Sequence, residues 1–300
     1  MRRGGRNAAS DDIESPWVGW ALFLPAAAFL AVFTYYPALA TLYHSVLSTP
    51  KTGRPARFVG IDNYSAMAQD PIFLQALVNN GWFALGTIPA SIALALGMAL
   101  LVNRAIPGRA LVRMSYFAPT ILAMVAVANI WLFIFAPQIG LLNSVVAWFG
   151  GTPHNWLGQP TTSLASVTAV AIWKEAGFFM IFYLAALQNM PANLAEAAAI
   201  EGASRWYYFW KMTFPLLMPT TLFVLVNAVV NAFRMVDHII VMTKGGPDNS
   251  SMLLLYYIYE VGFRYWDTSY AAAMSMVLLV ILGVVAVGQF LILDRRTHYR

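Results

Sequence analysis

The sequence predicts an all-α membrane protein with six transmembrane helices and both termini cytoplasmic. Three observations carry this. The 300 residues are 60% hydrophobic and only 10% charged, against about 25% charged in an average soluble domain. The apolar residues fall into six runs near or above ~20 residues, the length needed to cross a bilayer as a helix. Lys and Arg gather at alternate ends of those runs.

The runs, in order, are Trp17 to Tyr36 (continuing past Pro37 towards Leu47), Gly81 to Val102 and Met114 to Phe135. Leu164 to Leu187, Leu216 to Val236 and Ala271 to Leu293 follow. The start, with Arg2, Arg3 and Arg6 ahead of Ala26-Ala27-Ala28, imitates a signal peptide. The apolar stretch outlasts the roughly 7–15 residues of such a segment, so an uncleaved first span is expected. With the N-terminus inside, the inner segments hold Arg2, Arg3, Arg6, Arg104, Arg109, Arg113, Arg205, Lys211, Arg295, Arg296 and Arg300. The outer ones hold Lys51, Arg54, Arg57, Lys244 and Arg264. That imbalance orients the chain. Residues 1–16 form a cytoplasmic tail, 17–293 one membrane domain and 294–300 a second tail. The net charge of +5 belongs to this topology and not to nucleic-acid binding, because the basic residues form no patch with interleaved aromatics. With no Cys, disulfides and thiolate metal sites are excluded.

Residues 189–219 separate the fourth and fifth runs. Asn193 to Glu201 is alanine-rich and reads as a helix, with Asn193 and Glu196 as a capping-box-like start and Gly202 as its stop. Ser204 caps a second helix, Arg205 to Phe214, before Pro215 and Pro219 interrupt the chain. Ala195, Ala197, Ala198 and Ala199 make the first helix thin. A thin helix fits a groove on a partner, with Leu194 and Ile200 as anchors and Glu196 and Glu201 as register marks.

Two spans carry polar residues that lipid does not tolerate without a reason. The fourth holds Lys174 and Glu175, which serve either function or a packing salt bridge. The fifth holds Asn227, Asn231, Arg234 and His238 at i, i+4, i+7 and i+11, one face of a continuous helix. That stripe lines either a water-filled path for a hydroxyl-rich solute or a subunit seam. If Lys174 and Arg234 face the path, an anionic solute such as a glycerol phosphate or a sugar-linked anion fits. Gly140 to Phe149 reads as an external interfacial helix.

The spacing Glu196-Ala197-Ala198, three residues, Gly202, nine residues, Met212-x-Phe214-Pro215 resembles the cytoplasmic loop of permease subunits of ATP-binding-cassette importers. Met and Phe replace the usual Ile and Leu without changing the register. Phe58-Val59-Gly60-Ile61-Asp62-Asn63-Tyr64, Thr243-x-Gly245-Gly246-Pro247 and Tyr257-Ile258-Tyr259-Glu260-x-x-Phe263 resemble further stretches of carbohydrate-type members, in the right order. The resemblance, to the maltose and glycerol-3-phosphate-like first membrane subunit, implies a type I importer permease fold in a bacterial inner membrane. It implies that Glu196, Ala197, Ala198, Gly202 and Pro215 couple to an ATPase. By the same route, solute contacts fall at Thr120, Met124, Glu175, Ala232 and Met235; Ala and Met are poor sugar ligands, which moves attention to Asn231. The implied partners are a second homologous permease subunit in a heterodimer, two ATPase subunits carrying ATP and Mg, and a periplasmic or lipid-anchored solute-binding protein. The chain itself, with no G-x-x-x-x-G-K-[ST], G-x-S-x-G or H-E-x-x-H, is expected to bind no cofactor and to be no enzyme. The rival reading is a stand-alone secondary transporter or channel, for which Glu175 and Asp237 are the acidic candidates within the spans.

Overall fold

The computed structural model describes residues 16–50, 53–104 and 107–294. The tails proposed for 1–16 and 294–300 lie, but for Pro16 and Asp294, outside the described residues. Among the described residues there is no strand, only an isolated bridge between Leu47 and Phe58. The helices are α1 (Pro16–Leu30), α2 (Tyr36–Ser45), α3 (Asp62–Gln69), α4 (Pro71–Asn103), α5 (Arg109–Ile121), α6 (Met124–Ile134), α7 (Leu141–Trp148) and α8 (Pro160–Gln188). They continue as α9 (Ala192–Ile200), α10 (Arg205–Tyr208), α11 (Phe214–Leu216), α12 (Met218–Arg234), α13 (Asp237–Met242), α14 (Leu254–Tyr259) and α15 (Thr268–Asp294). Among the described residues, five helical stretches are long and apolar enough to cross a membrane: Gly19–Ser45, Pro71–Asn103, Pro160–Gln188, Met218–Met242 and Thr268–Gln289. The pair α5 and α6, taken as one bent span, makes a sixth.

Among the described residues, those within Met1–Ser65 and Val261–Met276 form one compact unit and those within Ala66–Glu260 and Val277–Arg300 a second. In the first, α1 runs into α2 through a π-helical stretch, Ala31–Tyr35. Pro37 follows two residues later. Proline offers no N–H to the carbonyl four residues back and its ring crowds that carbonyl, and a widened turn just ahead relieves both. The same solution recurs at Phe209–Thr213 ahead of Pro215. There the chain is helical from Arg205 to Leu216, so the expected interruption at Pro215 is a widened turn instead of a stop. The end of α2 is held by the stretch that reads as a turn in sequence. Asn63 Nδ2 donates to Ser45 O at 2.8 Å and Leu47 O at 2.9 Å, and Tyr64 Oη donates to Ser45 Oγ at 2.8 Å. Orphan carbonyls at a helix end are thus satisfied by side chains.

The core of the second unit lies where α4, α8 and α12 meet. Ala95, Ala99 and Val102 pack with Ala176, Phe179, Met180 and Tyr183, and with Leu217, Val224 and Ala228. Alanines on α4 and α8 let the two helices approach closely, the usual device where lipid supplies no drive for helices to associate. Gly177 is the extreme case. A Cβ there would stand 2.4 Å from Tyr116 O, so only glycine lets α8 touch α5. The loop after α13 is equally tight: Ser251 Oγ donates to Gly246 O at 2.7 Å. Asn79 Nδ2 donates to Asn249 O and Met252 O.

Candidate functional site

The third apolar run is not one rod. Leu122 and Ala123 are extended (ψ 138 and 142), and α5 and α6 meet at 106°. A break of this kind leaves carbonyls without intrahelical donors, which is costly away from water. Lys174 supplies the donor: its Nζ reaches Leu122 O at 2.6 Å and Pro119 O at 3.1 Å. Its neighbour Glu175, buried on α8, turns the other way and accepts from Asn231 Nδ2 of α12 at 2.7 Å. Adjacent residues on a helix point about 100° apart, so one pair of side chains ties α8 to a broken helix on one flank and to α12 on the other. The packing salt bridge considered for Lys174 and Glu175 does not describe this, because their polar partners are backbone carbonyls and an amide. Thr120 ends close to Gly177, its Oγ1 buried without a hydrogen-bond partner, and Met124 opens α6 half-buried.

The fifth span also breaks. Met235 is extended (ψ 108) and α13 restarts at Asp237. The stripe of four polar residues is therefore corrected: a fixed 100° per residue holds only within one continuous helix. Asn227 and Asn231 share a face of α12, Asn227 bonding Phe223 O of its own helix at 2.7 Å. Ala232 is buried, Arg234 is exposed as the last residue of α12, and Met235 is half-buried at the break. His238 lies past the break, fully buried and stacked on Phe83 at 5.7 Å, with no hydrogen bond to either ring nitrogen.

The loop 189–219 has the predicted helix, with one correction. It begins at Ala192 behind Pro191, and no side chain caps it; Asn193 is already inside the first turn. The stop is as read. Gly202 is left-handed (φ +71), Gly202 N donates to Ala199 O at 3.2 Å and Ala203 N to Ala198 O at 2.9 Å, a Schellman ending. Ser204 Oγ accepts from Tyr207 N at 3.2 Å. Glu196, Ala197 and Glu201 are exposed and Ile200 is 88% exposed, while Leu194 is half-buried. Ala195, Ala198 and Ala199 face a cavity of about 660 Å³ that Leu100, Leu187 and Phe209 also line. Pro215 is exposed.

The family described as "Binding-protein-dependent transport system inner membrane component" matches residues 91–299. The chain belongs to this family. It is 33% identical over 281 residues to the sn-glycerol-3-phosphate transport system permease protein UgpA of Agrobacterium fabrum, covering 93% of this chain and 96% of that one. It is 33% identical over 278 residues to the lactose transport system permease protein LacF of Rhizobium radiobacter, covering 91% and 92%. Among solved structures it resembles a chain of a bacterial transporter involved in the import of the acidic polysaccharide alginate. The TM-score is 0.82 at 25% identity, over 97% of this chain and 100% of that chain. This permease is thus a membrane component of a binding-protein-dependent importer and not an enzyme. In it, the feature that sequence reasoning misses is the paired break. Pro119 marks a weak point in the third run, but nothing in the sequence links it to Lys174, 55 residues away.

Proposed function

We propose that the permease passes a sugar-like or glycerol-linked solute along a path beside the broken third and fifth spans. An external binding protein delivers the solute. Both termini and the loop 189–219 face the cytoplasm of a bacterial cell, and the path belongs to a heterodimer with a second permease subunit. ATP and Mg bind two partner ATPases, which push on α9 through Glu196, Ala197, Ala198 and Gly202. The observation that carries this reading is the cluster at the breaks. Irregular backbone and polar side chains persist at membrane depth only where protein or water surrounds them; here Lys174 satisfies the freed carbonyls of the third span, and Glu175 and Asn231 satisfy each other. The exposed helix α9, ended by left-handed Gly202, supports the coupling role.

Lys174 is occupied by two carbonyls, which leaves Arg234 as the cation for an anionic cargo. Relatives named for sn-glycerol 3-phosphate and for lactose leave both charge classes in play. Uptake of labelled glycerol 3-phosphate and of lactose, compared in cells with native chain and Arg234→Ala, separates them. Losing one charge-assisted contact lowers uptake of the anion about tenfold to a hundredfold and spares the neutral sugar. Equal uptake of the anion by both proteins refutes the role of Arg234.

A further inference from the structure

A second site lies at the other end of the α5–α8 pair from the Lys174 break. Here α8 ends and α5 begins. Ala110, Met114 and Phe117 of α5 and Met180, Ile181, Leu184 and Ala185 of α8 line a groove of about 500 Å³, with Arg113 and Gln188 at its end. The wall is apolar, and Met114 is 65% exposed along it. At the polar end, Gln188 with its carbonyl oxygen toward α5 accepts from Arg109 Nη2 at 3.0 Å and Arg113 Nη2 at 3.1 Å. Among the described residues, a neutral amide is the acceptor these two guanidinium groups share. Their Nε atoms are buried and have no hydrogen-bond partner. Among the described residues neither guanidinium is paired with a carboxylate.

Two half-buried guanidinium groups one helical turn apart, sharing one neutral acceptor and each with an unpartnered Nε–H, call for an oxyanion, which a guanidinium meets with paired N–H groups. The groove beside them calls for a hydrocarbon chain. We infer that the α5–α8 groove holds one anionic phospholipid, its phosphate on Arg109 and Arg113 and one acyl chain along Met114, Phe117 and Ile181. Charge complementarity and the apolar wall select this occupant. A free anion leaves the groove empty, and a zwitterionic lipid brings its own cation against the guanidinium pair. Basic pockets between membrane helices take anionic headgroups by the same chemistry.

The test uses the assembled importer, purified through a tag on this chain and reconstituted in nanodiscs of mixed phosphatidylglycerol and phosphatidylcholine. Native mass spectrometry counts the lipids retained. The native protein keeps one phosphatidylglycerol in preference to phosphatidylcholine. Arg109→Gln with Arg113→Gln lowers that preference about thirtyfold. Arg109→Lys with Arg113→Lys keeps most of it, which separates lost charge from lost fold. Arg54→Gln with Arg57→Gln, an equal change of charge in the exposed loop after α2, has no effect. Indifferent retention of the two lipids by the native protein overturns the inference. So does an unchanged preference in the double Gln variant, or displacement of the lipid by millimolar inorganic phosphate. An acidic segment of a partner subunit seated on the arginines, leaving no retained lipid, overturns it as well.

Discussion

Replacing Lys174 by Met keeps the length of the side chain and removes its donor. Two carbonyls, Pro119 O and Leu122 O, then lose the contacts at 3.1 and 2.6 Å. Each orphaned acceptor costs about 1–3 kcal/mol when buried. Leu122 is 42% exposed and counts at the low end, which makes the total about 3 kcal/mol. A straight helix restores donors to both carbonyls, from Ala123 N and Ala126 N by the i→i−4 rule. The variant therefore shifts the balance between bent and straight forms about a hundredfold towards straight. The chain contains no Cys, so Leu111→Cys and Phe133→Cys, both at exposed positions, introduce the only two spin-label sites. At 1.5 Å per residue the 22-residue separation spans about 33 Å if straight and about 20 Å with a 106° bend. Pulsed electron resonance reads both. The native chain gives the short distance, and Lys174→Met gains a population near the long one. A Lys174→Met protein with only the short distance refutes the argument, and would assign the bend to Pro119 and packing alone.

Two further outcomes follow from the geometry. Gly177→Ala places a methyl group 2.4 Å from Tyr116 O, so α5 and α8 separate; overpacking of this kind costs about 1–3 kcal/mol, read as a lowered unfolding midpoint in detergent, and an unchanged midpoint counts against the close approach. At Gly202, with φ +71 and nothing within 4 Å of a Cβ, Gly202→Val is strained only in its backbone, by about 1–2 kcal/mol; combined with Glu196→Lys it leaves ATP hydrolysis by the assembled importer running while solute uptake falls, and tightly coupled transport in that double variant argues against α9 as the transmitting element.

What the sequence discloses and what it withholds divide by range. The helix ending at Gly202, the cap at Ser204 and the apolar runs depend on residues close together, and all are readable. The widened turns before Pro37 and Pro215 are local too, and the prolines announce them once the carbonyl four residues back is considered. The break at Leu122 is withheld because the group that tolerates it is Lys174, on another helix. The stripe from Asn227 to His238 misleads for a related reason. Periodicity assumes an unbroken helix, and the extended Met235 resets the phase before His238. Asn193 misleads more mildly, since the helix begins at Ala192 behind an extended Pro191 (φ −60, ψ 127) at the N-cap position, which leaves Asn193 already inside the first turn.

The hollow behind α9 has a mechanical meaning. On the side of that helix the lining is the methyl groups of Ala192, Ala195, Ala198 and Ala199, so α9 itself sends no long side chain into the gap. A push against the exposed flank therefore meets give before it meets resistance, as a sprung handle does. On the proposed coupling role of α9, a pressing ATPase travels through that slack before the spans feel it, and filling the hollow from within, with a larger residue at Ala198, is expected to stiffen the handle and shorten the stroke.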